Sequence, residues 1–261
     1  MSTSETNGPI VLCVANQKGG VGKTTTAINV SAALARRKKR VLLLDLDAQG
    51  NASSIFLSAP PAAEKSAYGV FKDRRPIATL LERTRIDGLS LLPANVHLAE
   101  VETLLAGAVD GFFRLSDSLS AADTGQDFVV VDCPPNLGLL TVNAFVSATH
   151  LLIPLQTAKF SLDGLRTMLD TSAMIRKRFN AGLSLLGALI TMHNARTTIS
   201  QAIAEPIEDF ISLFKTRISR AVAIEEAHLL NQTIFEYQSR SRVAREYDAF
   251  TEELLNAIEK G

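Results

Sequence analysis

The sequence has no excess of charge of either sign. Lys and Arg together number 27, Asp and Glu also number 27, and the formal net charge is zero. A neutral chain has no overall electric field that would draw it onto nucleic acid or an anionic membrane. Any such binding therefore has to come from a local patch of basic residues.

Long apolar runs are absent as well. No stretch approaches the roughly 20 apolar residues that a helix needs to cross a bilayer. Residues 1–9 lack the basic and apolar regions of a signal peptide, so we expect a flexible N-terminal segment and a cytoplasmic protein. Because no linker rich in Pro, Gly or Ser divides the rest, residues 10–261 are predicted to form a single domain.

Cysteine is scarce, and histidine does not cluster. Cys13 and Cys133 both lie in apolar, strand-like runs, which is typical of buried thiols. This pattern favours neither a disulfide framework nor a cysteine-rich metal site. The four histidines are spaced too widely for a metal motif.

The densest basic run is residues 36–40, Arg-Arg-Lys-Lys-Arg. It ends a helical pattern and precedes a strand. Because cations stabilise the C-terminal end of a helix, we predict a structural role for this run.

Strand-like and helix-like segments alternate along almost the whole chain, which predicts an α/β fold: a mostly parallel twisted sheet with helices on both faces. The strands are continuous apolar runs because both of their faces would be buried. The predicted strands are residues 10–16, 41–47, 89–93, 128–132, 151–156 and 183–192. The predicted helices are residues 24–37, 98–106, 137–147, 161–179, 199–211 and 242–258. Residues 58–76 are interpreted as an irregular surface excursion.

A phosphate-binding loop follows the first strand and opens the first helix, as this kind of motif requires. Its glycines allow backbone N–H groups to converge on phosphates, the Lys23 ammonium reaches the outer phosphates, and the Thr24 hydroxyl can ligate Mg²⁺. The predicted ATP contacts in the loop are Lys18, Gly19, Gly20, Val21, Gly22, Lys23, Thr24 and Thr25.

The loop departs from the usual pattern G-x-x-x-x-G-K, since Gln17 occupies the position of the first glycine. A second lysine, Lys18, stands five residues before Lys23. Its charge is not needed by a single phosphate cradle and could serve another subunit.

The loop Lys-Gly-Gly-Val-Gly-Lys-Thr resembles the deviant Walker A motif of the ParA family of partition ATPases, within a group that includes MinD and the nitrogenase iron protein. The resemblance continues through residues 41–51, where Ala48 replaces the family's common proline, and through residues 127–135 and 152–154. It covers nearly the whole chain. It implies a P-loop NTPase fold, ATP and Mg²⁺ as cofactors, and an ATP-dependent homodimer in which Lys18 contacts the partner's ATP.

Two aspartates end apolar strands next to the loop. Asp47 and Asp132 thus lie where Mg²⁺ and its waters need oxygen ligands. The resemblance implies that Asp132 holds Mg²⁺ through water and that Asp47 positions the attacking water. Asp45 could instead be a structural partner of Lys23. Residues 191–196 resemble a family loop near the adenine, which implies a contact from Met192, although Asn194 replaces the usual aspartate.

The resemblance implies a slow ATPase switch that coats DNA until a ParB-like activator or cargo adaptor stimulates hydrolysis, and hence a nucleoid-associated protein. No glutamate, glutamine or arginine finger is obvious near the loop, which also indicates slow hydrolysis. From residue 211 to 245 basic residues exceed acidic ones by three. We predict nonspecific DNA contacts from Arg217, Arg220, Arg240 and Arg242.

Two other functions remain open. A membrane-bound positioning ATPase resembling MinD needs a basic amphipathic C-terminal helix, and residues 252–260 are too acidic for that. An electron-transfer protein resembling the nitrogenase iron protein needs cysteines at a dimer interface, whereas Cys13 lies in the first strand. The cargo stays open: a chromosome, a plasmid or a protein assembly.

Overall fold

A computed structural model describes residues 8–121, 125–157, 161–194 and 207–260. Most of the predicted N-terminal segment 1–9 and most of the predicted helix 199–211 lie outside the described residues.

The described residues form one seven-stranded sheet in the order β3-β4-β2-β5-β1-β6-β7. Its strands are β1 Ile10–Val14, β2 Val41–Asp45, β3 Glu82–Arg83, β4 Leu89–Leu92, β5 Phe128–Asp132, β6 His150–Gln156 and β7 Ser184–Thr191. Every pairing is parallel except that of β3 with β4. The predicted mostly parallel α/β sheet is confirmed, and β3 is the strand that the prediction lacked.

Helices follow most of the strands. They are α1 Lys23–Arg36, α2 Asn51–Phe56, α3 Ala67–Asp73, α4 Val101–Leu104, α5 Arg114–Ser120, α6 Leu139–Ser147, α7 Leu162–Arg178, α8 Val222–Leu229, α9 Ile234–Gln238 and α10 Arg242–Lys260. Short 3₁₀ helices span Ala63–Lys65, Ile77–Thr79 and Val96–Glu100. The predicted helix 98–106 is in fact the end of a 3₁₀ helix joined to α4.

The interpretation of residues 58–76 as an irregular surface excursion was wrong. This stretch contains α3, which buries Tyr68, Val70 and Phe71. The Ser66 side chain caps the helix by accepting a hydrogen bond from the N–H of Tyr68, and Arg74 ends it at φ 54°. Pro60 and Pro61 precede the helix and Pro76 follows it, and the mixed charge on its exposed side hid the short apolar run.

Helices cover both faces of the sheet, because each central strand sends alternate side chains into two separate cores. In β2, Leu42 and Leu44 pack into the core that contains α3, α6 and α7. Val41 and Leu43 pack into the other core, with α1 and α10. Burial of both strand faces explains why the strands are continuous apolar runs.

The scarce cysteines and the basic run have the structural roles that the sequence predicts. Cys13 in β1 and Cys133 just after β5 are buried free thiols whose Sγ atoms lie 3.2 Å apart. Arg37 pairs with Asp248 at 2.6 Å, and Arg40 pairs with Asp127 at 2.9 Å. Among the described helices, none is long and apolar enough to cross a membrane.

Candidate functional site

The phosphate-binding loop joins the end of β1 to the start of α1. Gly20 and Gly22 have φ angles of 67° and 83°, a left-handed conformation in which a side chain would be strained. Gly22 is the N-cap of α1, and no side chain of the described residues caps that end of the helix. The first N–H groups of α1 can therefore bind an anion.

Long-range hydrogen bonds hold the loop in place. The Asn16 amide donates to the carbonyl oxygen of Pro154 at 2.7 Å and accepts from the N–H of Lys18 at 2.9 Å. On the other side, the Thr191 hydroxyl donates to the carbonyl oxygen of Val21 at 2.8 Å. The C-terminal ends of β6 and β7 thus fix the loop, and sequence reasoning assigned neither Asn16 nor Thr191 to this task.

Lys23 lies at the bottom of the loop. It is 6% exposed, and its Nζ donates to the carbonyl oxygen of Lys18 at 3.0 Å. Burial lowers the pKa of Lys23, while the nearby Asp132 and Asp47 carboxylates oppose that shift. Lys23, Asp47 and Asp132 are therefore close together, as the sequence predicts.

Asp132 ends β5 and is fully buried. Within the described part of the chain, neither of its carboxylate oxygens accepts a well-formed hydrogen bond. Burial raises the pKa of Asp132 well above its usual range and Asp45 adds to this, whereas the Thr24 hydroxyl and Lys23 lower it. A buried carboxylate without a partner is costly, so these oxygens beside a hydroxyl and Asp47 fit Mg²⁺ and its waters.

Asp45 bonds to other groups than Lys23, contrary to the alternative raised from the sequence. One of its oxygens accepts from the N–H of Ser53 at 2.8 Å and from the Ser53 hydroxyl at 2.7 Å. The other accepts from the N–H of Asp47 at 3.1 Å. Burial raises the pKa of Asp45 to about 6, although the bonds from Ser53 lower it. Asp45 therefore positions the loop that carries Asp47.

Asp47 lies just beyond β2 and is half-buried. Its carboxylate accepts from the N–H of Gln49 at 3.0 Å, and its carbonyl oxygen accepts from the N–H of Gly50 at 2.8 Å. This tight turn presents the carboxylate toward Lys23 and leaves part of it open to water.

A cavity of about 330 Å³ continues from the loop, and its size suits a purine base. Its wall includes Met192, the predicted adenine contact, which adopts φ 50°. The cavity is also lined by Thr25, Gln156, Ser219, Arg220 and Tyr247. The Gln156 Oε1 atom is buried with no hydrogen-bond partner in the described residues, so it is available to a ligand. No sequence pattern pointed to Gln156.

One of the predicted DNA-binding arginines lines this cavity, and two others lie beside His193. Burial lowers the pKa of His193, and the nearby Arg217 and Arg242 lower it further, so both guanidinium groups are close to this ring. Arg220 lines the cavity, and its N–H donates to the carbonyl oxygen of His193 at 3.1 Å. Arg240 is exposed in the turn before α10, and its carbonyl oxygen accepts from Arg245 at 2.6 Å. We call Arg217, Arg220 and Arg242 the arginine cluster.

Known proteins resemble this chain over nearly its whole length. A family model described as an AAA domain matches residues 10–185. The sporulation initiation inhibitor protein Soj of Bacillus subtilis is 36% identical over 239 residues, 91% of this chain and 94% of that protein. The chromosome-partitioning ATPase Soj of Thermus thermophilus is 38% identical over 251 residues, 95% of this chain and 96% of that protein.

A solved structure has the same fold. It is cobyrinic acid a,c-diamide synthase from Mycobacterium smegmatis with a bound ATP analog and magnesium. It superposes with a TM-score of 0.85 at 34% identity and covers 95% of this chain and 94% of that one.

Proposed function

This chain belongs to the ParA/Soj family of P-loop ATPases, and from that membership we propose an ATP-dependent switch that dimerises, binds DNA without sequence preference and positions a cargo. The chain is an ATPase whose cofactors are ATP and Mg²⁺.

The chain's own groups bind the triphosphate and orient water. The Lys23 ammonium and the N–H groups of α1 bind the phosphate oxygens. Thr24, Asp47 and Asp132 would hold Mg²⁺ directly or through water, and Mg²⁺ neutralises phosphate charge when bound. The half-buried Asp47 accepts a hydrogen bond from the attacking water and aligns it with the outer phosphate.

Dimerisation is proposed to use Lys18. The backbone of Lys18 is fixed at both ends, since its N–H bonds Asn16 and its carbonyl oxygen accepts from Lys23. The side chain therefore starts from a defined point at the rim of the loop, where it is half-buried. Its ammonium contacts the nucleotide of a second copy, so two bound ATP molecules hold the two subunits together.

The observation that carries the DNA proposal is the grouping of the arginine cluster around His193. Arg220 lines the cavity and its N–H donates to the carbonyl oxygen of His193, and Arg217 and Arg242 lie beside the His193 ring. A dimer presents two such clusters and doubles the number of counterions released from DNA. ATP-dependent dimerisation therefore raises affinity for DNA, and the protein associates with the nucleoid in the cytoplasm.

Fluorescence anisotropy with a labelled random duplex, in ATP or ADP and across several salt concentrations, tests this function. The ATP-loaded protein should bind duplexes of different sequence equally, and binding should fall steeply with salt. Arg217→Ala should weaken binding without loss of ATP affinity. The matched control is Arg83→Ala, which removes an exposed arginine at the opposite edge of the sheet. If ATP-loaded protein shows no affinity at low salt, the DNA proposal fails.

A ParB-like activator or cargo adaptor completes the proposed cycle by stimulating hydrolysis. A neighbouring gene for a centromere-binding protein would support chromosome or plasmid partition, and purified activator should raise ATPase turnover. The second candidate, a membrane-bound switch resembling MinD, has no support in α10, whose last turns carry Glu252, Glu253 and Glu259. Sedimentation with anionic liposomes in ATP distinguishes the two candidates.

A further inference from the structure

Glu246 holds together a set of donors that suits a phosphate group. Its carboxylate accepts from the N–H of Ser219 at 2.7 Å, from the Ser219 hydroxyl at 2.7 Å and from Arg242 Nε at 2.7 Å. A backbone N–H, a hydroxyl and a guanidinium are the groups that proteins commonly use to bind phosphate oxygens. The carboxylate thus occupies a place that a phosphate could take.

The two partners of this ion pair differ in exposure. The Glu246 side chain is 16% exposed, whereas the Arg242 side chain is 66% exposed. The guanidinium can therefore be reached from solvent, but part of its donor capacity is already used by Glu246. The Arg242 end of the ion pair is open to solvent, so another anion can approach the guanidinium from outside.

We propose that Glu246 is an internal counter-anion that occupies a phosphate site of the arginine cluster and so lowers the affinity of the cluster for the phosphodiester backbone of DNA. This inference rests on the proposed DNA binding and adds its regulation. DNA that binds the cluster has to displace the carboxylate from Arg242, and removal of the carboxylate frees the site.

A matched control exists on the same helix. Glu253 lies seven residues after Glu246, which is about two helical turns and roughly 10 Å along α10. Its carboxylate accepts from the N–H groups of Lys215 and Thr216 at 2.7 and 3.0 Å, so it holds the same segment. In the described part of the chain it forms no ion pair with a guanidinium. Glu253 therefore shares the structural task of Glu246 but not its contact with the cluster.

The test compares Glu246→Gln with Glu253→Gln by anisotropy of a random duplex in ATP. One extra phosphate contact changes the log of the DNA-binding constant by about 0.9 for each tenfold change in salt. Taking the contact to contribute nothing at about 1 M salt, we expect roughly 5- to 10-fold tighter binding per freed site at about 0.1 M salt. The salt slope should steepen by about 0.9 for each protomer that binds DNA. The affinity of Glu253→Gln for the duplex should stay within about twofold of that of the unmodified protein. Equal or weaker binding by Glu246→Gln, or an equal gain in Glu253→Gln, overturns the proposal.

A double variant separates the charge effect from a structural one. Adding Arg242→Ala to Glu246→Gln should remove the gain, because the freed guanidinium makes the new contact. A gain that survives in the double variant overturns the proposal. If Glu246→Gln loses its thermal transition or its binding of fluorescent ATP, Glu246→Ala replaces it, because alanine puts no amide donors against Ser219 and favours the helix.

Failure of the DNA proposal can be told apart from failure of this inference. If no variant binds duplex at low salt, elution from a sulfated polysaccharide column reports on anion binding alone. Glu246→Gln should elute later than Glu253→Gln, and this delay should disappear when Arg242→Ala is added to Glu246→Gln. That result supports the counter-anion. Identical elution of all three proteins overturns it.

Discussion

Replacing Ser53 with alanine should strongly destabilise the end of β2. The Ser53 hydroxyl donates to the buried Asp45 carboxylate at 2.7 Å and accepts from the N–H of Ala94 at 2.8 Å. Ser53, Asp45 and Ala94 are 5%, 0% and 2% exposed, so water cannot readily replace the lost hydroxyl. The substitution therefore leaves two buried polar groups short of a partner.

The magnitude follows from these two losses. A hydrogen bond to a charged group contributes roughly 1.5–3 kcal/mol, and an unsatisfied buried donor costs about 1–3 kcal/mol. Since the Ser53 N–H keeps its own bond to Asp45 and some relaxation occurs, we expect the free energy of unfolding to fall by about 3 kcal/mol. The rate of ATP hydrolysis should also fall by roughly tenfold or more, because Asp45 positions Asp47 by accepting a hydrogen bond from the Asp47 N–H.

Urea denaturation at pH 8 without nucleotide measures the stability change as a shift in midpoint at constant slope. The control is Ser54→Ala, the next residue of α2, whose exposed hydroxyl donates to the carbonyl oxygen of Asn51 at 3.0 Å. This control should lose no more than about 0.5 kcal/mol. A loss below about 1 kcal/mol in Ser53→Ala, or equal losses in the two variants, would refute the reasoning.

Three further results are expected. Lys23→Ala should abolish binding of fluorescent ATP, whereas Lys18→Ala should bind ATP but stay monomeric in light scattering; an ATP-dependent dimer of Lys18→Ala contradicts the contact across the dimer. Asp47→Ala should keep ATP and accumulate as a dimer with almost no hydrolysis, and a persistent monomer in size exclusion with ATP and Mg²⁺ argues against its role. Arg85→Ala should lower the free energy of unfolding by about 1 kcal/mol, because Arg85 bonds both oxygens of the partly exposed Glu236. Burial alone would raise the pKa of Glu236, but the bonds from Arg85 and Thr233 lower it. The stabilisation by Glu236 is therefore present above its unfolded pKa and is lost as pH falls. In urea denaturation, the difference in stability between the unmodified protein and Arg85→Ala should shrink below about pH 4.

The sequence predicts well those features that depend on residues close together in the chain. The phosphate-binding loop, Lys23 and the strand-end position of Asp132 are found where the pattern puts them, because strand, loop and helix follow one another directly. The strand β3 was missed because two partly exposed residues at an edge carry no apolar pattern. The short helix α2 was missed because its six residues are too few for a helical period.

Side-chain contacts between distant parts of the chain could not be predicted from the sequence. The partner of Asp45 is eight residues away on a helix that was not predicted, and Glu246 reaches Ser219 across 27 residues. Such contacts depend on how α2 and α10 are placed against the sheet, and a local pattern carries no signal for that placement. The buried Oε1 of Gln156 belongs to the same class, since it becomes notable only once the cavity is known.

The helix α10 connects the nucleotide to the arginine cluster. Tyr247 lines the base cavity and is fully buried, and the preceding residue, Glu246, holds Ser219 and Arg242. The same helix packs on α1, which begins at the phosphate-binding loop. Because Glu246 and Arg242 both lie on α10, a shift of the helix moves this pair together relative to Ser219. In the proposed cycle, a displacement of α10 by bound nucleotide would separate Glu246 from Ser219 and so add to the effect of dimerisation on DNA affinity.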